Sequence, residues 1–253
     1  MYMGEFVSII MAAYNAQDTI CPAIDSVLVQ TYPHFELLVV DDSSTDDTGK
    51  LAADYAARDE RIRVITAPVN GGAAQARRMG LREARGAWIA ILDSDDSWMP
   101  DKLEKQLALQ RETGARLLFT GSAFMDSAGN RMPWQLHVPE RIDYRQLLKQ
   151  NLISNSSALV EKSLYQTHYA DADNVHEDFA TWLRILHGGV VAYGLDEPLL
   201  VYRLSPTSKS GKKWRSALMN WRTYRYVGLS PFSAFYYMLC YTVNGVKKYR
   251  HLT

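Results

Sequence analysis

The chain is predicted to be an α/β protein built on a mostly parallel sheet covered on both faces by helices. Three observations predict this. Strand-like and helix-like segments alternate through the first 120 residues. The strand-like segments are continuous apolar runs rather than alternating ones, as expected of strands buried on both sides. The runs also end abruptly in polar or acidic clusters, where the open edge of such a sheet receives ligands.

Taken in order, Val7–Ala12 reads as the first strand, followed by Ile20–Gln30 with Ile20, Ile24, Val27 and Leu28 at helical spacing. Leu37–Val40 is a short apolar strand ending in Asp41-Asp42. Ser43-Ser44-Thr45 supplies cap residues for a helix reaching about Arg58. Ile62–Ala67 is a strand, Gly72–Ala84 a helix, Ala87–Leu92 a strand, Pro100–Thr113 a helix and Arg116–Phe119 a strand. After Gly121 the pattern loosens. Ser127-Ala-Gly-Asn130 is a turn signal, Tyr144–Gln150 a short helix and Ser154–Val160 a strand. His176–His187 is a helix stopped by Gly188-Gly189, and Val190–Gly194 and Leu199–Tyr202 are strands. A main domain is therefore expected over residues 1–204, its halves meeting near residue 120, with a separate tail over 205–253.

The most informative run is Trp88-Ile-Ala-Ile-Leu-Asp93-Ser-Asp95-Asp96, a buried strand whose tip holds three carboxylates in four residues. Such a tip is costly unless a positive charge neutralises it, and hard oxygen ligands suit Mg²⁺ or Mn²⁺. The bland reading is a solvated acidic turn that caps the next helix. Tyr14-Asn15 and Asp41-Asp42 end two other strands, so the sheet should gather all three tips on one edge. That edge has the parts of a nucleotide site: a carboxylate for base or ribose donors, an aromatic ring to stack on the base, and a place for a cation on a diphosphate. Arg77 follows Gly71-Gly72 in a helix and is a candidate diphosphate ligand, or else a solvated helix arginine. His176-Glu177-Asp178 puts two carboxylates at a helix start, where the dipole favours negative charge and an Asp could act as a general base. Trp182 and Arg184, one and two turns on, read either as an aromatic wall with a cation or as core residues.

Absences narrow the choice. No G-x-G-x-x-G follows the first strand, no P-loop signature occurs, and neither His-x-x-x-His nor Cys-x-x-Cys is present, so a dinucleotide dehydrogenase, a P-loop enzyme and a zinc site are all disfavoured. Two cysteines in 253 residues make no disulfide framework. Met-Tyr-Met-Gly-Glu-Phe at the N-terminus lacks a basic region and a cleavage site, which predicts a cytoplasmic protein.

These residues resemble family 2 inverting glycosyltransferases of the GT-A fold, from Val7 to about Ser210. The resemblance is carried by Val7-Ser-Ile-Ile-Met-Ala-Ala-Tyr14-Asn15, Ser26-Val-Leu-Val-Gln30-Thr-Tyr and Glu36-Leu-Leu-Val-Val-Asp41-Asp42-Ser43-Ser44-Thr45-Asp46. Asn70-Gly71-Gly72, Leu92-Asp93-Ser-Asp95-Asp96-Ser-Trp98-Met-Pro100 and Glu177-Asp178 with Trp182-Leu-Arg184 complete it. It implies that Ala12 and Tyr14 line the nucleoside pocket and that Asp42 holds the base with Asp41 as neighbour. It further implies that Asp95 is the main ligand of Mn²⁺ or Mg²⁺, with Asp93 second and nearer the ribose, and that Asp96 supports them. Asp178 matches the catalytic base of a single in-line displacement. Transfer of one sugar is expected, because the Gln-x-x-Arg-Trp motif and the membrane spans of the processive members are absent. Two departures stand out: Arg78 occupies a position where members often have Asn, and no histidine follows Tyr202-Arg203. Ser208, Lys209 and Ser210 are candidates to line the phosphates in its place.

The formal net charge of zero conceals a segregation. From Pro198 onward there are ten basic residues and no acid, which leaves 18 basic against 28 acidic residues before it, or −10 against +10. A basic tail points to a polyanion, lipid headgroups or nucleic acid. Between Arg225 and Lys247 the tail is uncharged and aromatic, but Gly228, Ser230, Pro231, Asn244 and Gly245 interrupt it, which suits an interfacial helix better than a span. Packing on the domain or in a homodimer is the alternative. With the resemblance, the expected partners are a nucleotide-sugar donor, UDP-linked, a saccharide or polyprenyl-diphosphate-linked acceptor and an anionic membrane, not nucleic acid. The expected place is the cytoplasm, peripheral on the inner face of the cell membrane. A sugar-phosphate nucleotidyltransferase and an inactive nucleotide-sugar binder are the competing readings. The first usually needs a glycine-rich basic loop after the first strand, which Ala12-Ala-Tyr-Asn-Ala is not.

Overall fold

A computed structural model describes residues 5–172, 174–204 and 213–249. In chain order the elements are β1 (Val7–Ala13), α1 (Ile20–Leu28), β2 (Phe35–Asp41), α2 (Thr48–Ala56), β3 (Ile62–Thr66), α3 (Gly72–Glu83), β4 (Trp88–Ile91), β5 (Ser97–Trp98) and α4 (Lys102–Thr113). There follow β6 (Leu117–Met125), β7 (Arg131–Leu136), β8 (Arg141–Ile142), α5 (Tyr144–Lys149), β9 (Leu159–Glu161), α6 (Lys162–His168), α7 (Glu177–His187), β10 (Ala192–Arg203), α8 (Lys213–Tyr226) and α9 (Pro231–Tyr249).

The sheet runs β3-β2-β1-β4-β9-β6-β10-β5, with β7 paired to β6 and β8 to β10. β3, β2, β1 and β4 are parallel. β9 inserts antiparallel between β4 and β6, and β10 lies parallel to β6. Six of the ten strands thus share one direction. β1, β2 and β4 are buried along nearly their whole length, which explains their uninterrupted apolar sequence. Two hydrophobic clusters result, one on each face of the sheet. Helix α3 lies close on β1 and β2 through Gly80, where a Cβ would sit 2.7 Å from Ile10 Cγ2.

Several elements differ from the sequence reading. Helix α2 starts at Thr48 rather than after Ser43, because Asn15 holds the intervening loop: its Oδ1 accepts from Thr45 N at 2.9 Å, and its own amide donates to Ser44 Oγ at 3.0 Å. Asn15 and Ser43 both take left-handed backbone conformations to make this contact. The strand expected at Ser154–Val160 is a 3₁₀ turn, Asn155–Ser157, followed by the three-residue β9. The two strands expected at 190–202 are one, β10, whose pairing with β6 shifts register between Leu195 and Leu200. The tail residues that are described form α8 and α9. Tyr224 and Ala234 are fully buried in the same core as α7, and Tyr224 donates to Leu148 O at 2.7 Å.

Candidate active site

The three strand tips do converge. β1, β2 and β4 are direct neighbours, so Tyr14, Asp42 and Asp93 leave the sheet on one edge. Ala12 lies opposite Val40 and is half-buried, and Tyr14 is 49% exposed beyond it. Asp41 and Asp42 are buried. Asp41 accepts from Ser44 N at 3.1 Å. Asp42 accepts from the amides of Gly71 (2.9 Å) and Gly72 (2.7 Å), the donors left orphaned at the start of α3. Each of its oxygens therefore has one lone pair engaged and one left for a base donor.

Arg77 departs most from the sequence reading. It is 7% exposed and turned inward, not toward solvent. Its Nη2 donates to Asp93 Oδ1 at 2.5 Å and its Nη1 to Glu177. With the amide of Asn155 oriented oxygen-inward, Asn155 accepts from Nη2 at 3.1 Å and Nε at 3.2 Å. The guanidinium joins the tip of β4 to the first turn of α7, so it is occupied by protein carboxylates rather than open to a diphosphate.

The Asp93–Asp96 tip is held from below. Ser156 Oγ donates to Asp96 at 2.6 Å and accepts from Asp93 N at 3.1 Å, while Trp98 Nε1 donates to Ser156 O at 2.7 Å. The amide of Arg203 donates to Asp96 at 2.9 Å and its Nε to Asp95 O at 2.9 Å. Asp96 is buried and acts as a strut, whereas Asp95 is half-exposed. Burial first, then the negative charge of Asp93, pushes the Asp95 carboxyl up to about 6. Among the described residues no three His, Cys, Asp or Glu side chains gather as a ready metal cage. The donor set nonetheless fits a cation that keeps waters and substrate phosphates as its other ligands: two hard carboxylates repel each other, and no described side chain donates to the carboxylate of Asp95.

That repulsion is testable. A carboxylate raised in the folded state adds stability that is full below its unfolded value and lost as pH rises through about 6. At pH 8 Asp95→Asn should therefore raise the melting temperature of the metal-free protein by roughly 2–4 °C, about 1 kcal/mol after allowing for partial exposure. It should also abolish any upshift on adding Mn²⁺, both read by differential scanning calorimetry.

Asp178 stands half-buried in the first turn of α7, next to Glu177. Its carboxyl is pushed up to about 7 by burial first and the charge of Glu177 second; the Phe179 amide and Arg77 pull the other way. A cleft of about 480 Å³ opens beside it, between Gly71–Gln75 at the start of α3, His176 just before α7, Glu177 at its first position, and Met219 on α8. Trp182 and Arg184 do not line the site. Trp182 is fully buried against Tyr165, and Arg184 donates to Tyr169 O at 3.0 Å. Arg78 pairs with Asp171. Ser208, Lys209 and Ser210 lie outside the described residues. Sequence reasoning missed Asn155, Ser156 and the brace made by Arg203. The polar Ser154-Asn-Ser-Ser157 between apolar segments was the available signal.

The sheet thus brings Tyr14, Asp42 and the Asp93–Asp96 carboxylates to one edge, and Arg77 ties that edge to the helix start that carries Asp178. The Glycosyl transferase family 2 model matches residues 8–165, and the chain belongs to that family. It is 40% identical over 245 residues to TuaG of Bacillus subtilis (strain 168), a glycosyltransferase named for teichuronic acid biosynthesis, covering 96% of each chain. It is 35% identical over 245 residues to the Escherichia coli UDP-Glc:alpha-D-GlcNAc-diphosphoundecaprenol beta-1,3-glucosyltransferase WfgD, covering 96% of this chain and 94% of WfgD. Among solved structures, Staphylococcus aureus TarS residues 1–349 with UDP-GlcNAc superpose with a TM-score of 0.71 at 18% identity, over 92% of this chain and 70% of that one. The Pyrobaculum calidifontis mannosyltransferase PcManGT with GDP-Man and Mn²⁺ gives 0.68 at 18%, over 98% of this chain and 70% of that one. The fold is GT-A and the protein a family 2 glycosyltransferase. The nucleotidyltransferase reading falls away.

Proposed function

We propose that the protein is an inverting glycosyltransferase that moves one sugar from a UDP-sugar to a hydroxyl of a saccharide or polyprenyl-diphosphate-linked saccharide in cell-surface polysaccharide synthesis. The observation that carries this is Asp178, a carboxylate pushed up to about 7, next to Glu177, which lines the cleft and is tied through Arg77 to Asp93 on the acidic tip. Ala12, Tyr14, Asp41 and Asp42 form the nucleoside side, with the half-exposed ring of Tyr14 available for stacking on the base. Asp95, with Asp93 beside it, would hold Mn²⁺ or Mg²⁺, whose charge would stabilise the departing diphosphate. Asp178 accepts the proton of the acceptor hydroxyl. The oxygen so activated bonds to the anomeric carbon from the face opposite the diphosphate, as the bond to the diphosphate oxygen breaks, and the configuration inverts. The names of WfgD and TuaG support a UDP donor and a surface-polymer role.

The test is turnover of a panel of UDP-, dTDP- and GDP-sugars with Mn²⁺. A UDP-sugar should exceed the others by about 10²-fold or more in kcat/KM, since base recognition by buried polar groups discriminates strongly. Preference for a dTDP- or GDP-sugar would overturn the donor assignment.

A further inference from the structure

We infer that the outward face of α9 is a docking surface for an anionic lipid bilayer, seated there by five apolar side chains and by the basic residues of the adjoining segment. The helix buries one side in the core through Ala234, with Tyr237, Met238 and Tyr241 packed against the same cluster. Phe232 (90% exposed), Phe235, Tyr236, Leu239 and Val243 are all exposed instead. Their spacing of three, one, three and four residues puts them on one stripe of a helix, about 100° wide, opposite the buried side. Scattered apolar residues on a surface need no explanation, but five large ones aligned over three turns do.

The charge of the C-terminal segment selects the occupant. No acidic residue occurs from Pro198 to the end of the chain, against ten basic ones. On α8, which packs against α9, Arg222 and Arg225 are exposed and lie one and two turns beyond the half-exposed Leu218, on the same side of the helix. A second protein copy would bring an equal positive charge to the same place, whereas a leaflet of anionic lipid brings the opposite one. Among the described residues no helix is long and apolar enough to cross a membrane, so the contact is with the surface of the bilayer. Aromatic rings beside basic groups are suited to the headgroup boundary. WfgD, similar to this chain along nearly its whole length, is named for a diphosphoundecaprenol-linked acceptor.

The inference rests on α8 and α9 and not on the catalytic assignment. The assay is flotation of the full-length protein with vesicles and contains no sugar nucleotide, so its failure would leave the proposed transfer reaction untouched. The wild type should float with vesicles of phosphatidylcholine mixed with phosphatidylglycerol and much less with phosphatidylcholine alone. Phe235→Asp/Leu239→Asp should weaken the binding about 100-fold. Arg222→Gln/Arg225→Gln should weaken it about tenfold or more on anionic vesicles only, as should high salt. Phe235, Leu239 and Arg222 are exposed, so the aspartate variant and Arg222→Gln alone should keep the wild-type melting temperature, whereas Arg225 also donates to Leu229 O and its replacement should lower it. Three results would each overturn the inference: wild type that stays unbound, an aspartate variant that floats like wild type, or a dimer that the aspartates convert to monomer without changing flotation. Deleting the segment is no substitute, because Tyr224 and Ala234 belong to the core.

Discussion

Replacing Arg77 by methionine should destabilise the protein by about 3–5 kcal/mol, read as a lower urea midpoint, because it removes the cation from a buried ion network. The guanidinium sits between Asp93, Glu177 and Asn155 with almost no access to water. Removing it leaves the partly buried carboxylates of Asp93 and Glu177 with no other described partner of opposite sign in contact. Lysine should recover only a small part of the loss, since one ammonium cannot span three acceptors held by a planar fork. Glu177→Gln should cost less than Arg77→Met, because an amide still accepts from Nη1. The double variant should fall well short of the sum of the two, which separates a shared network from two independent sites. A loss under about 1 kcal/mol for Arg77→Met would mean that water replaces the guanidinium and that the network is not a strut. Activity should drop as well, because α7 would no longer be tied to the tip of β4.

How much of this could be read from the chain follows from how far apart the partners lie. β1, β2 and β4 were legible because burial on both faces writes an unbroken apolar run into consecutive residues. β7 was not: it alternates exposed and half-buried residues and contains Pro133, so it has no apolar signature. β5 is two residues long and exists only because β10 pairs with it. At the site, the acidic tips were visible as local clusters, but their partners were not. Glu177 lies 100 positions from Arg77, and Ser156 lies 60 from Asp96. No period or motif connects such pairs, so Arg77 read as a phosphate ligand or a solvated helix arginine, and neither reading placed it between Asp93 and Glu177. Trp182 shows the same limit from the other side. A tryptophan near a carboxylate suits a binding wall and a core equally well, and only its complete burial decides between them.

Asp178→Asn should lower kcat by about 10²–10⁴-fold while leaving donor affinity unchanged, because the amide keeps the shape of the site but cannot take a proton. The pH dependence gives a second, independent reading. Two influences act on this carboxyl in opposite directions. The start of α7, through the Phe179 amide, and the nearby Arg77 favour the charged form; burial and the charge of Glu177 oppose it, and they win, pushing the group up to about 7. A general base works only when ionised, so with Asp178 in that role kcat/KM should rise about tenfold per pH unit below that value and level off above it. Glu177→Gln removes the second-largest raising influence and releases Arg77 from its carboxylate partner, so the acid limb should move to lower pH even as the variant loses some stability. A merely structural Asp178 would change stability and leave the limb in place. A limb that stays near pH 7 in Asp178→Asn would assign the titration to another group, Asp95 at about 6 being the nearest in value. The two carboxyls can be told apart by saturating Mn²⁺: a cation on Asp95 should carry its titration below the working range and leave that of Asp178 as the limb that remains.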